Sequence, residues 1–300
     1  MCSKSKNVIC GVLFSLSAGI LWGIVPIHIK LIQTNDVFEI VAHRALWSSI
    51  ILLCVCKLSG DLHEILKIFS NWQLTANFLI TSSLLTLNWC IYVYAVQTDN
   101  VILAAFGYFI YPLSTVLLGV LIVGERLDRW AWVAIGLVFV GVYIKAFEID
   151  GFPWISVLLA GSFSLYTVFR KRMGHDPVQG LCIETIFLLP CSLAFFLYTL
   201  STEESIFFGG GKLNTILAVS LGLITVIPLI LFHWGCRLLR VTTASLIFYS
   251  NPTTQLLLGV FLFSEAFIRS DLLAFSLIWV GIIVYFFSRP AVKKTSLLNL

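Results

Sequence analysis

The sequence predicts an all-α polytopic membrane protein: ten transmembrane helices arranged as two inverted five-helix repeats. Three observations predict it, namely the composition, a duplicated block and the distribution of basic residues. Of the 300 residues, 59% are hydrophobic and 11% are charged. Soluble domains carry roughly 45–50% and about 25%. Too little charge is left to cover the water-facing surface of one or two soluble domains. A solvent that accepts apolar side chains is needed, and the bilayer is that solvent. A helix crosses its core of roughly 30 Å with about 20 apolar residues. Barrel strands would alternate in character; these runs do not, so the spans are helices.

The duplicated block is GYFIYPLSTVLLGVLIVGERLDRWAWVAIGLVFVG, Gly107 to Gly141. It recurs as IFYSNPTTQLLLGVFLFSEAFIRSDLLAFSLIWVG, Ile247 to Gly281, about 140 positions later and without a gap. Pro112 falls on Pro252, Gly119 on Gly259, Glu125 on Glu265, Ala134 on Ala274 and Gly141 on Gly281. Each copy is a pair of apolar segments joined by a Glu-containing loop.

Taken in order, the predicted spans are 8–32, 36–57, 74–97, 101–123, 127–147, 153–170, 178–199, 213–236, 241–264 and 270–288. The first follows Lys4 and Lys6, as a signal peptide would. No small-residue cleavage site ends it, so it is expected to stay as a span. It carries Gly19-xxx-Gly23, a pattern of close helix contact, and Pro26. The second holds His43 and Arg44. The third holds Asn88, Trp89 and Tyr92. The fourth and fifth, and the ninth and tenth, are the duplicated pairs. The seventh holds Glu184, and the eighth Pro228 and His233. The connections are short. The longest, Tyr198 to Lys212, carries Gly209, Gly210 and Gly211 and reads as a flexible loop.

The basic residues orient these spans. The N-terminus and every second loop carry fourteen: Lys4, Lys6, Lys57, Lys67, Arg126, Arg129, Arg170, Lys171, Arg172, Arg237, Arg240, Arg289, Lys293 and Lys294. The other loops carry four: Lys30, Lys145, Lys212 and Arg269. Both termini are therefore expected in the cytoplasm. The first duplicated copy ends with the fifth span and the second with the tenth, so the repeat unit is five helices, residues 1–147 and 148–300. Five is odd, so the second unit enters the membrane upside down, with the Glu125 loop inside and the Glu265 loop outside. Inverted repeats suit a carrier with two mirror-related states around a site near the bilayer midplane.

Residues that are unfavourable in lipid mark candidate sites. Pro112 and Pro252 lie within equivalent spans. Each lacks an N–H and opposes the carbonyl four residues back, at Tyr108 and Phe248. They are hinge or cavity-wall candidates, or else plain packing kinks; Pro26 is a weaker hinge candidate. Tyr108, Pro112, Thr115 and Gly119 share one helical face, as do Phe248, Pro252, Gln255 and Gly259. Arg44 lies eight residues in from Asp36 and Glu184 six in from Val178, so roughly 12 and 9 Å deep. Each is unfavourable there by at least about 2.5–3.5 kcal/mol unless paired or hydrated. They occupy equivalent spans. Either they pair with each other, or they handle substrate or protons, with Glu184 the better proton carrier, or they face an interfacial crevice. His28 and His233 read as interfacial. Asn88 and Tyr92, four apart, turn an amide and a phenol to one face, toward substrate or toward another helix. Glu125 and Glu265 read as solvated or capping carboxylates rather than gates. The eight cysteines show no CxxC or Cys/His metal spacing, and read as packing residues.

Several runs resemble a known family. LWGIVPIHIK (Leu21–Lys30), EIVAHRALWS (Glu39–Ser48), NWCIYVYAV (Asn88–Val96), the Gly107–Leu127 stretch, ETIFLLP (Glu184–Pro190) and NPTTQLLLGVFLFSE (Asn251–Glu265) are similar to RarD-type permeases. These belong to the EamA branch of the drug/metabolite transporter superfamily. The resemblance covers nearly the whole chain. It implies two inverted EamA repeats of five helices, a central cavity among spans one, three, four, six, eight and nine, and alternating access. Carried over, it draws attention to Trp22, Pro26, Lys30, His43, Arg44, Asn88, Trp89, Tyr92, Tyr108, Pro112, Glu184, Tyr249, Pro252 and Gln255. Two places depart from it. His28 and Ile29 stand where an aromatic pair is expected, and Phe248 stands where a Gln is expected.

The function that follows is a secondary active permease moving a small organic metabolite or drug across the bacterial cytoplasmic membrane, with proton or exchange coupling. The expected partners are the solute and the lipid bilayer, with no nucleic acid, no metal and no cofactor, in a monomer or homodimer. A channel, scramblase or membrane scaffold is the alternative. An enzyme is not expected, since acidic and histidine residues are scattered rather than clustered at one interface. No GxxxxGK loop occurs for ATP drive.

Overall fold

The computed structural model describes residues 2–32, 34, 36–118, 121, 127–148, 152–201, 211–239 and 247–287. Among these residues the regular structure is helical, without strands. The helices are α1 Cys2–Gly23, α2 Val25–Leu31, α3 Val37–Ser59, α4 Leu62–Phe69, α5 Trp72–Gln97, α6 Val101–Leu118, α7 Arg129–Glu148, α8 Trp154–Met173, α9 Pro177–Ser201, α10 Gly211–Leu238, α11 Ser250–Phe261 and α12 Arg269–Phe287. Six stretches among the described residues are long and apolar enough to cross a membrane: α1 with α2, α3, α5, α6, α9 and α10.

Helix ends follow local chemistry. Asp36 opens α3 by accepting from the N–H groups of Phe38, at 2.8 Å, and Glu39. Asn71 does the same for α5 through the N–H of Leu74, at 3.2 Å, and Asp176 for α9 through that of Val178, at 2.9 Å. Gly60, at φ 80°, ends α3 in the left-handed region, where a residue without Cβ is unstrained. The first predicted span is interrupted at Ile24, and Pro26 takes the second position of α2, where a missing N–H is tolerated. Helix α4 was not expected from the sequence. It tucks Ile65 and Ile68 inward and leaves Leu66 and Phe69 exposed, as an eight-residue amphipathic helix does.

The chain forms two compact units. The first comprises Met1–Pro112 and Trp154–Ala266, the second Leu113–Pro153 and Phe267–Leu300. In the first, α3 packs on α9 and α10, α1 on α10 and α11, and α5 on α8. Serine hydroxyls tie these helices to each other's backbones. Ser49 donates to the Thr185 carbonyl at 2.8 Å and Ser82 to the Glu184 carbonyl at 2.8 Å, the small polar contacts expected where lipid supplies no hydrophobic drive. Gly19 and Gly23 face Ser250 and Thr254 of α11 at distances that a Cβ would close.

In the second unit, α7 packs along α12. A Cβ on Gly141 would stand 3.1 Å from the Ala274 carbonyl oxygen, and one on Gly281 would stand 3.1 Å from the Ala134 carbonyl oxygen. The contact is reciprocal, residue for residue, along the duplicated block. Lys145, expected in a loop, is instead buried on α7 and paired with Asp271 at 2.5 Å. The other Asp271 oxygen accepts the Ile268 N–H at 3.0 Å.

Candidate functional site: a cleft around a buried arginine

Within the first unit, α1, α2, α3, α5, α6, α8, α10 and α11 surround a narrow cleft with free space of about 30 Å³. Its walls stand close together. Trp22, Arg44, Asn88, Trp89, Tyr92, Tyr108 and Gln255 all line it, with Val25, Leu85, Phe163, Leu229, Phe248 and Asn251. Seven of the ten candidate binding residues thus converge in one place.

Arg44 sits at the centre of the polar groups. Its residue exposure is 3%. Nε donates to the Thr225 hydroxyl at 3.1 Å. The guanidinium lies 4.7 Å from the Trp89 ring centroid, in the range of a cation–π contact. Nη1 has no hydrogen-bond partner among the described residues.

Asn88 is fully engaged. Its Nδ2 donates to the Leu159 carbonyl at 3.2 Å and the Ser162 hydroxyl at 3.0 Å, and its Oδ1 accepts from the Tyr108 hydroxyl at 3.1 Å. The amide therefore holds the Tyr108 ring in place. Gln255 donates to Asn251 Oδ1 at 2.7 Å, one turn back on α11. Its own Oε1, like the Tyr92 hydroxyl, is buried without a partner among the described residues.

Aromatic rings make the remaining wall. Phe248 lies 5.4 Å from Trp22, 6.1 Å from Phe163, 5.1 Å from Phe232 and 6.5 Å from Tyr108 between ring centroids. The departure noted in the sequence at Phe248 is thus a departure in the cleft wall. His28, at the other departure, is not among the lining residues and contacts the Leu217 carbonyl at 3.0 Å.

Three candidate binding residues lie elsewhere. Tyr249 stacks on Phe109 at 5.8 Å. His43 accepts from the Trp47 indole at 3.1 Å and meets the Phe196 ring at 5.4 Å. Glu184 does not pair with Arg44. It forms a buried ion pair with Arg170, Nε to Oε1 at 3.1 Å, without hydrogen-bond alignment. The Tyr166 hydroxyl donates to Glu184 Oε2 at 3.1 Å and lies 3.4 Å from His233 Nε2. Gly180 makes room, since a Cβ there would stand 2.2 Å from the Arg170 guanidinium nitrogens. The sequence pointed to neither Arg170 nor Tyr166, and His233, read as interfacial, contacts this network through Tyr166.

The hinge candidates differ from one another. Pro112 lies inside a helix that runs on to Leu118. Pro252 is the third residue of α11, just after the break at Phe248 and Tyr249. Of the loop carboxylates, Glu265 caps α6. Its two oxygens accept the N–H groups of Val101 at 2.9 Å and Ile102 at 2.8 Å. Burial pushes its carboxyl above the ordinary range, while those N–H groups pull it back. Glu125 and Gly119 lie outside the described residues. Lys30 pairs with Asp99 and covers the Phe263 ring at 4.4 Å.

A family model described as the EamA-like transporter family matches residues 9–146 and again 152–287. The chain belongs to that family. It is 34% identical over 277 residues to Protein RarD of Streptomyces exfoliatus, covering 91% of this chain and 87% of that protein. It is 32% identical to the uncharacterized transporter YojE of Bacillus subtilis, covering 95% and 96%. To Protein RarD of Escherichia coli it is 30% identical, covering 94% and 95%. A solved crystal structure, 19% identical, superposes with a TM-score of 0.61 over 92% of this chain and 96% of its own, a likeness of fold alone. The chain is therefore a multi-pass bacterial membrane protein of the drug/metabolite transporter type. The Bacillus subtilis relative is named a transporter.

Proposed function

We propose that the chain is a secondary active transporter of a small organic solute, which binds in the Arg44 cleft and is passed across the cytoplasmic membrane by alternating access. The observation that carries this reading is the cleft itself. A guanidinium donor, a phenol and an amide oxygen, all buried and all without protein partners among the described residues, line one cleft. Buried polar groups are normally satisfied, so open ones gathered in a cleft of a transporter fit a solute that completes them.

The proposed framework is ten transmembrane helices in two inverted five-helix repeats, residues 1–147 and 148–300, with both termini in the cytoplasm. Three findings support it. The family model matches twice, over residues 9–146 and 152–287. The α7–α12 contact repeats itself with exchanged roles. The loop charges keep their bias: with Arg170 and Lys145 removed as buried partners, thirteen basic residues stand against three.

Proton coupling is assigned to Glu184. Its ion pair with Arg170 joins α8 to α9 while the acid is charged and loosens when it is neutral, so a proton could bias the packing of the two helices. Pro112, Pro252 and the α1–α2 break beside Pro26 are the proposed hinges. Active units are a monomer or homodimer.

Purified protein is to be screened by thermal shift against amino acids, nucleotides, cofactors and phenicols. Each hit is then followed into proteoliposomes. Saturable, trans-stimulated flux is the expected result; linear, non-saturable flux would instead mark a channel or scramblase. An imposed pH gradient should drive accumulation by the wild type and not by Glu184→Gln. Undiminished accumulation by that variant would remove Glu184 from coupling.

A further inference from the structure

We propose that the solute is an organic monocarboxylate, with Arg44 supplying the counter-charge to its carboxylate and the aromatic wall taking its apolar part. The proposal rests on the transport reading above and narrows it to a substrate class.

The cleft contains one charge and no answer to it. Arg44 keeps its proton at any physiological pH. None of the lining residues is Asp, Glu, Lys or His, and no carboxylate forms an ion pair with Arg44 among the described residues. Thr225 is neutral, and Trp89 contributes only the face of a ring. The contrast within this molecule is direct. Arg170, equally buried, has Glu184 at 3.1 Å. Of Arg44 and Glu184, only the acid is neutralised by a partner of opposite sign among the described residues. The counter-ion of Arg44 is left to be brought in.

The open groups specify its chemistry. Nη1 of Arg44 and the Tyr92 hydroxyl are both donors, both buried and both unpartnered among the described residues. Nη1 can donate a charge-assisted bond to a carboxylate oxygen, and a phenol can donate to the same group. A phosphate monoester carries about −1.5 to −2 charges, more than one arginine neutralises, and no second cation lines the cleft. A cationic solute would meet a like charge in a site removed from water. Gln255 Oε1, an open acceptor, suits an N–H or O–H elsewhere on the molecule. Trp22, Tyr108, Phe163 and Phe248 give the rest of the solute an aromatic surface, on which flat apolar groups stack.

The test compares isosteric acids and amides on the wild-type protein in nanodiscs. Phenylacetate, indole-3-acetate and phenylpyruvate are set against phenylacetamide and indole-3-acetamide. The readouts are thermal shift and quenching of tryptophan fluorescence, to which Trp22 and Trp89 contribute. Each acid that binds should do so at least about tenfold more tightly than its amide, and Arg44→Gln should abolish that preference while Arg44→Lys retains part of it. Thr225→Val, which keeps the guanidinium but frees Nε, should weaken the acids less than Arg44→Gln does. Amides binding as well as acids, or no acid binding at all, would overturn the proposal even if Arg44→Gln failed to fold. Saturable trans-stimulated flux of a neutral or cationic hit would overturn it while leaving the transport reading intact. The absence of saturable flux for every hit would overturn the transport reading instead.

Discussion

Lys145 and Asp271 show how much hangs on single charges in so apolar a chain. Both are almost completely buried, and each is the other's ion-pair partner in the second unit. Removing one end of a buried pair leaves an uncompensated charge and typically costs about 3–5 kcal/mol, whereas replacing both ends by apolar groups is often neutral. Lys145→Met should therefore destabilise the detergent-solubilised protein by about that much. Lys145→Met with Asp271→Leu should recover most of the loss in the same thermal melts, and equal melting of the single and double variants would show that the pair carries no such weight. Legibility at this scale depended on sequence context. Arg44 stood out because its flanks, Val41-Ala42-His43 and Ala45-Leu46-Trp47, leave it no aqueous neighbourhood. Arg170 did not, because Lys171 and Arg172 follow it and the three read as one loop cluster. The helix continues to Met173, and at about 100° per residue it turns Arg170 inward while Lys171 and Arg172 point elsewhere. A charge triplet at a span end says nothing of which member faces the core.

At the scale of elements, apolar run length located the spans, but breaks and short helices were set by finer chemistry. Pro112 and Pro252 look alike in sequence, yet one is embedded in a running helix and the other follows a restart. A proline fits either setting, because it lacks the N–H that a first turn does not need and a mid-helix turn can forgo at a cost. Glu265 gives an element-scale prediction. Its carboxylate satisfies two N–H groups at the start of α6, a cap supplied from more than 160 residues away in sequence. Glu265→Ala should cost about 1–2 kcal/mol, seen as a lower melting temperature and as faster amide exchange confined to Val101, Ile102 and their neighbours. A uniform rise in exchange would argue against a capping role. The α7–α12 pair gives another. Gly141 and Gly281 each approach a carbonyl oxygen of the facing helix at the same distance. Leucine at either position should destabilise by about 1–3 kcal/mol through overpacking, and the two variants should match closely. Markedly unequal losses would mean that the two contacts are not equivalent.

For the whole molecule, the proposed inverted duplication makes the strongest demand, because it predicts sides of the membrane as well as shapes. Each compact unit is assembled from both halves of the chain, so the repeats are not separate bodies laid end to end. The sequence revealed the copied block and seven of the residues that gather in the cleft. It could not reveal that Arg44 is left without a protein counter-ion, since that depends on which helices meet, and spacing along the chain carries no such information. An odd number of spans per repeat sends equivalent loops to opposite faces, whatever the details of packing. Cysteines introduced at Glu125 and at Glu265, in a background free of the eight native cysteines, should therefore label from opposite sides. A membrane-impermeant maleimide added to intact cells should reach the Glu265 position, and the Glu125 position should react only after permeabilisation. Because Glu265 is held against α6, a second probe at Ser264, whose backbone has φ 55° in the same exposed turn, guards against protection by the cap. Labelling of both loops from one side would require an even-numbered repeat or parallel halves. Either would remove the mirror relation from which alternating access follows, while the cleft around Arg44 would remain as a binding site in need of another mechanism.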